Sequence, residues 1–263
     1  MRVISDNVNA KLTIDAIEIS FFNKVRLNNV YIEDLYQDTL LYADQITATI
    51  LKFPNKKRIP VNTVTLENAT LRLATDSAGV VNIRFIIDEI RRKDTTRAPR
   101  LLTIRNIKFK NSKFCLKTYN SKSKNQGINL SDLVLNKFNT EIRRLEKDAD
   151  TVKFLIKSLT FEDHSGFVVD NLYAKTSISK KHLIFRNTRI NTELSRISGA
   201  LIALSFNSFK DFKPEARYER VKLNLLFFPS DINLHDIAFF SPKLYGTNQL
   251  VNLSGEVRGY ISN

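Results

Sequence analysis

A single cysteine, Cys115, excludes an intrachain disulfide. It sits in an alternating stretch, KFCLKT, that reads as a strand with the thiol as a small buried hydrophobe. Seven glycines and six prolines leave little material for phosphate-cradling loops and are fewer than sandwiches and barrels with many tight turns use. His164, His182 and His235 have no second His or Cys at metal-ligand spacing, so no metal is predicted. There is no G-x-S-x-G, no P-loop and no dinucleotide fingerprint. No apolar run approaches the roughly 18 residues of a membrane helix, and the opening MRVISDNVNAKLTID lacks the continuous apolar stretch of a signal peptide. Asp163-His164-Ser165 sets triad residue types side by side. Strand neighbours point to opposite faces, so contiguity reads as a turn rather than a catalytic site. Glu33-Asp34 and Glu162-Asp163 read as solvated turns. No catalytic residue and no cofactor is predicted, and the chain reads as a non-enzyme.

What is present is apolar alternation and positive charge. Hydrophobic residues make up 43% of the chain, with 18 Phe and 8 Tyr, which is too much for global disorder. A net charge of +14 favours anionic partners such as phospholipid headgroups or nucleic acid. The basic clusters are short: Lys56-Lys57-Arg58, Arg91-Arg92-Lys93, Arg143-Arg144 and Lys180-Lys181, all assigned to element ends or loops. Aromatic residues are assigned to the apolar side of strands rather than beside Lys and Arg, which argues against nucleic acid.

An eight-residue pattern recurs: apolar, any, apolar, any, then Asn, Asp or Ser, then apolar, any, apolar. It appears as VRLNNVYI (25–32), VTLENATL (64–71), LTIRNIKF (102–109), INLSDLVL (128–135), FLIKSLTF (154–161), FVVDNLYA (167–174), LIFRNTRI (183–190) and INLHDIAF (232–239). LTIDAIEI (12–19) is a ninth copy with Ala16 in the polar slot, and Thr188 replaces one apolar residue. Apolar residues two apart share a strand face, but between the third and sixth positions the parity slips by one. A bulge or tight turn keeps both halves on one face, and Asn and Asp tolerate the backbone angles this needs. Asn29, Asn68, Asn106, Asp132, Asn171, Asn187 and Asp236 are therefore predicted to sit at bends; Ser158 fills the same slot. The alternative is a generic antiparallel sandwich with ordinary turns.

Strands are predicted over 12–22, 25–33, 41–51, 63–74, 101–119, 153–161, 167–179, 182–192, 222–227, 232–240 and 250–261. The loops are 54–60, 94–99 and 119–127. VNIRFIIDEIRRK (81–93) places Phe85, Ile86, Ile87 and Ile90 at helical spacing and reads as a short amphipathic helix capped by Asn82; 140–148 is a second helical possibility. No linker marks a boundary, so residues 1–263 read as one continuous β segment. The apolar faces either close on each other as a core or leave an open groove.

Three stretches, 19–50, 156–197 and 232–263, together with VTLENATLRLATDSAGVVNIRFIIDEI (64–90), resemble the N-terminal part of the TamB-type translocation and assembly module proteins, of the AsmA-like group of bacterial envelopes. DTLLYAD (38–44), FEDHSGF (161–167) and the FFSP…LSG spacing carry the resemblance most specifically. The resemblance implies a mainly β fold: an elongated, curved antiparallel sheet forming an open apolar groove (a repeating β-groove), with one or two short helices. It implies a groove that carries phospholipid acyl chains between inner and outer membrane, or a module for outer-membrane protein (autotransporter) assembly and secretion. It also implies membrane association, periplasmic placement with inner-membrane attachment in the full-length protein, and an Omp85-type outer-membrane barrel partner engaged through regions absent here. The family lends no catalytic residues. The chain lacks the family's N-terminal membrane helix and stops in what reads as mid-strand, so a segment of a longer protein is expected. Groove-lining candidates are Val64, Leu66, Leu71, Leu73, Leu102, Ile104, Ile107, Phe109, Leu133, Leu135, Leu159, Phe161, Leu223, Leu225 and Phe227.

Overall fold

The period-two alternation becomes strands over most of its length. The computed structural model describes residues 10–20, 23–51, 58–86, 101–121, 127–148, 150–208, 211 and 220–260. The first strands are β1 (Leu12–Thr13), β2 (Ala16–Ser20), β3 (Lys24–Glu33), β4 (Thr39–Ile50), β5 (Arg58–Ala74) and β6 (Leu101–Lys117). There follow β7 (Asp132–Asp148), β8 (Thr151–Asp163), β9 (Val168–Val169), β10 (Asn171–Ile178), β11 (His182–Asn191), β12 (Arg196–Ser205), β13 (Lys222–Asn233) and β14 (Leu250–Tyr260). They form one sheet in the order β1-β3-β4-β5-β6-β7-β8-β10-β11-β12-β13-β14, with β2 on β3 and β9 on β8. The sheet is open, because the order runs from β1 to β14 without closing. The fold is mainly β with short helical pieces, as the sequence leads one to expect. It is mixed rather than purely antiparallel, since β5 and β6 run parallel, joined by a crossover longer than a hairpin turn.

Several elements differ from the sequence reading, each for a local reason. The stretch 140–148 is strand, part of β7, and its Arg143-Arg144 pair lies within that strand rather than at an element end. The strand predicted over 232–240 stops at Asn233. There the Asn233 side chain accepts the His235 N–H at 2.9 Å and caps a helix, Leu234–Ala238. β12 has no counterpart in the reading because Ser198-Gly199 interrupts its alternation. Of the helix expected over 81–93, residues 84–86 are helical, and 87–93, with the Arg91-Arg92-Lys93 cluster and loop 94–99, lie outside the described residues. So do 21–22, Lys56-Lys57 and 122–126. Asn82 does not act as the expected cap. Its oxygen accepts the Ala74 N–H at 3.0 Å, and its nitrogen donates to Asp34 Oδ2 at 2.9 Å and to the Arg72 carbonyl at 3.2 Å.

The chain divides into two units: residues 1–120 with 136–139, and residues 121–135 with 140–263. In the first, among the described residues, strands contact their hydrogen-bonded neighbours and no second layer covers either face. In the second, among the described residues, the helix Leu234–Ala238 folds against β13 and the 3-10 turn Pro242–Leu244 against that helix. There Ile128, Phe167 and Val169 are buried together against Leu133, Phe161, Leu172, Ile190 and Phe239.

Candidate functional site

The first unit has one apolar face built in register. Leu27 pairs with Ile46, Ile46 with Leu66, and Leu66 with Phe109. A second row runs Val25, Ala48, Val64, Ile107, and a third Ile32, Leu41, Leu71, Phe114. Phe138 adds its ring to Phe109 and Phe114 at centroid distances of 5.5 and 5.6 Å. The other face is polar: Thr47 pairs with Thr65, Thr65 with Lys108, Glu67 with Lys110, and Arg72 with Cys115. Cys115 is thus half-buried on the polar face, not a core residue as its alternating context suggests. Tyr31 and Tyr42 are also on this face. Lys11 stands 5.8 Å from the Tyr31 ring and Arg189 5.1 Å from the Tyr173 ring, so tyrosines do stand beside cations.

The polar slot of the octet explains how one face stays apolar. Asn29, Asn68 and Asn187 have φ of 49°, 50° and 52°, the left-handed conformation that Asn tolerates. Asp132 closes the turn begun at Asn129, and Asn171 follows the bend at Asp170. Asn106 is the exception within a strand: it pairs with Thr63 without register shift and donates to the Asn62 carbonyl at 3.0 Å. Asp236 lies in the short helix.

In the first unit these slips line up across neighbouring strands. Asn29 donates to Asp15 at 2.9 Å, Asn68 to Asp44 at 2.9 Å, and Asn111 (φ 45°) to Asn68 at 2.8 Å. The Asn111 N–H donates to Asn139 Oδ1 at 2.7 Å. The Tyr42 hydroxyl donates to Asp44 at 2.8 Å, and that hydrogen bond to the carboxylate holds the phenol pKa above its ordinary value. All five residues from Asn29 through Asp44, Asn68 and Asn111 to Asn139 are exposed. Behind them, on the apolar face, runs a row of small residues: Val30 (2% exposed), Ala43 (0%), Ala69 (1%) and Ser112 (4%). These small side chains are near zero exposure because the larger Leu41, Ile46, Val64, Ile107 and Phe109 on either side pack over them. The result is a crease: a floor of small residues between half-buried Leu, Ile, Val and Phe walls.

The second unit repeats the device. Ala174, Thr188, Ala200 and Ser230 are the buried small residues, with register shifts beside Ala174, Thr188 and Ser230. Gly199, at φ 72°, takes the place of Asn, and an added Cβ would meet the Phe228 ring at 3.3 Å. Ser112 and Ser230 make the same pair of bonds. Each hydroxyl donates to the carbonyl two residues earlier, at 2.9 and 2.7 Å, and accepts an N–H from the neighbouring strand, at 3.1 and 3.0 Å.

Against this geometry the groove candidates separate. Leu66 is buried with Ala43 and Ala69, and Val64, Ile107 and Phe109 pack against that cluster. Leu71 lies in the third row, and Leu73 and Ile104 are half-buried on the same strands. The Leu102 side chain lies outside the described residues. In the second unit Leu223, Leu225, Phe227 and Leu159 are half-buried. Leu135 is buried, and Leu133 and Phe161 belong to the closed cluster with Phe167 and Phe239. The sequence missed the floor: Ala69 and Ala174 fill apolar slots of the octet, but Ala43 and Ala200 lie on strands that do not match it, and only the register brings the four into rows.

The paired acids are not solvated turns. Asp34 is 2% and Asp163 1% exposed, each folded into a hairpin turn. Asp34 accepts the Tyr36 and Asp38 N–H groups at 2.9 and 3.1 Å, besides Asn82. Asp163 accepts the Ser165 N–H at 2.9 Å and its hydroxyl at 2.5 Å, with His164 Nδ1 at 3.3 Å. His164 and Ser165 both address the same carboxylate and lie in the turn that their contiguity predicts. Asp34→Ala leaves three donors without an acceptor and should lower stability by about 2 kcal/mol. Asp34→Asn, keeping an acceptor oxygen, should recover part of this; equal urea midpoints for both variants would contradict the assignment.

Among the described residues no group of His, Cys, Asp and Glu could hold a metal ion, and no helix is long and apolar enough to cross a membrane. No protein-family model matches the chain, and no curated protein matches it.

Proposed function

We propose that this chain is a segment of a non-catalytic lipid carrier, in which the creased apolar face holds phospholipid acyl chains while their headgroups stay in water. The observation that carries the reading is the continuous set of half-buried apolar walls, among them Leu41, Ile46, Val64, Ile107 and Phe109, that flanks the buried row Val30, Ala43, Ala69 and Ser112. Apolar surface of this continuity, without a covering layer, calls for an apolar occupant. The magnitudes suit a carrier. A methylene fully buried contributes about 0.8 kcal/mol. An open trough covers roughly half of each, so a 16-carbon chain gains on the order of 6 kcal/mol, comparable to the cost of association. Chains are then held but exchange. The resemblance to TamB-type proteins points the same way and adds the setting: periplasm, inner-membrane attachment in a longer protein, and an Omp85-type barrel as distant partner. Native mass spectra of the purified protein after exposure to phospholipid should show lipid adducts; lipid-free spectra at every load would refute the reading.

One observation favours a second reading, a module for outer-membrane protein assembly. β14 is exposed along nearly all of its 11 residues and ends the strand order, offering an edge that a nascent strand could join. Photo-crosslinkers placed between Val251 and Tyr260 decide: adducts only with lipid would remove it.

A further inference from the structure

The floor of the second unit carries two hydroxyls with no protein partner. Thr176 is 4% and Thr188 2% exposed, and neither Oγ1 has a hydrogen-bond partner among the described residues. A buried hydroxyl without a partner is costly, so its persistence asks for a ligand or water that completes it. Both face the apolar side. Thr176 lies two residues beyond buried Ala174 on β10, and Thr188 pairs with buried Ala200 on β12. The alternate residues Lys175, Asn187 and Arg189 are exposed on the opposite face. Thr176 pairs across to Phe154 on β8 and Phe185 on β11, both only half-buried, so an occupant that parts those rings reaches the buried hydroxyl. The two hydroxyls stand on adjacent strands, either side of Ala174.

We infer that Thr176 and Thr188 donate hydrogen bonds to the ester carbonyls of an acylated glycerolipid, fixing how far its chains slide along the apolar floor. This rests on the acyl-chain reading and narrows it from hydrocarbon in general to acyl esters. An ester carbonyl is a pure acceptor and carries no charge, which suits a lone hydroxyl donor in apolar surroundings. Ala174 and Ala200 carry no polar group, and the Ser230 hydroxyl on the same floor is satisfied by backbone, so the threonine hydroxyls are the donors left for an occupant.

The test compares diester and diether phosphatidylcholine of equal chain length, which differ in the carbonyls alone. Binding is measured for the wild-type chain and for Thr176→Val/Thr188→Val, a near-isosteric change. Wild type should bind the diester about tenfold more tightly than the diether, and the double variant should bind both alike, at the wild-type diether level. Equal affinities in wild type, or a diester preference that survives in the double variant, overturn the inference while leaving the trough reading intact. No binding of either lipid by wild type overturns both. The double variant should unfold at the same or a higher urea concentration, because unpartnered hydroxyls are being removed. A lowered midpoint would show that the hydroxyls are satisfied within the protein, and would overturn the inference independently of lipid.

Discussion

Gly127→Ala should destabilise the second unit by roughly 3 kcal/mol or more. Gly127 has φ 74°, and a Cβ built there falls 2.4 Å from the Phe239 carbonyl oxygen and 3.0 Å from the Tyr245 hydroxyl. The carbonyl cannot retreat cheaply, because it accepts the Ile128 N–H at 2.8 Å. Any movement pulls on Phe239, whose ring is 5.3 Å from that of Phe167, and so loosens the buried cluster of Ile128, Phe167 and Val169. Gly166→Ala is the control. Its φ is 93°, with nothing within 4 Å of the added Cβ, so backbone strain alone remains, about 1 kcal/mol. Urea unfolding followed by tyrosine fluorescence separates the two. Equal losses would mean that the contact with Phe239 is not what demands glycine.

Asn68→Val should cost about 3 kcal/mol, combining two effects. A β-branched residue is forced into left-handed backbone, at roughly 1–2 kcal/mol. The bonds to Asp44 and from Asn111 are also lost, at about 1 kcal/mol each. Asn68→Gly keeps the backbone and should lose only the second part. Asn106→Val, at a slot with the same sequence signature but extended backbone, should cost about 1 kcal/mol. If Asn68→Val and Asn106→Val prove alike, the left-handed residue is not what maintains the single apolar face.

Much of this architecture was legible in the chain, because alternation of period two is dictated by strand geometry whatever the tertiary context. The parity slip was legible too, as the polar fifth residue of the octet at Asn29, Asn68 and Asn187. What escaped was its continuation through strands that do not match the template. The apolar positions of the octet, one, three, six and eight, read the same in reverse, but the fifth residue becomes the fourth. In β4, antiparallel to β3 and β5, the aligned residue is Asp44 of LYADQITA, at the fourth position. In β6 it is Asn111, hidden because Ser112 occupies an apolar slot and is satisfied by backbone. β7 was obscured by its charges, and β12 by Ser198-Gly199. The helix at 234–238 was misread because the capping Asn233 stands at the second position of the octet 232–239, where any residue is allowed, so the octet looks the same as one in a strand. Leu66 and the wall residues Val64, Ile107 and Phe109 were found from alternation. The floor and the two lone hydroxyls depend on register between distant segments, which no local pattern encodes.

The alignment of the exposed Asn and Asp residues also bears on how such a chain can change. Inserting one residue within the row on a single strand would push its slip out of line with both neighbours and break two side-chain bonds at once. Inserting the same residue in a loop, or lengthening the arms beyond the row, disturbs nothing that the row holds. A duplicated strand is accepted as long as its own Asn, Asp or Gly arrives at the matching height. Changes of length are thereby tolerated in the gaps between octets rather than within them. That accounts for repeats spaced unevenly along the chain, starting at 25, 64, 102, 128 and 154, while the eight-residue unit itself stays constant.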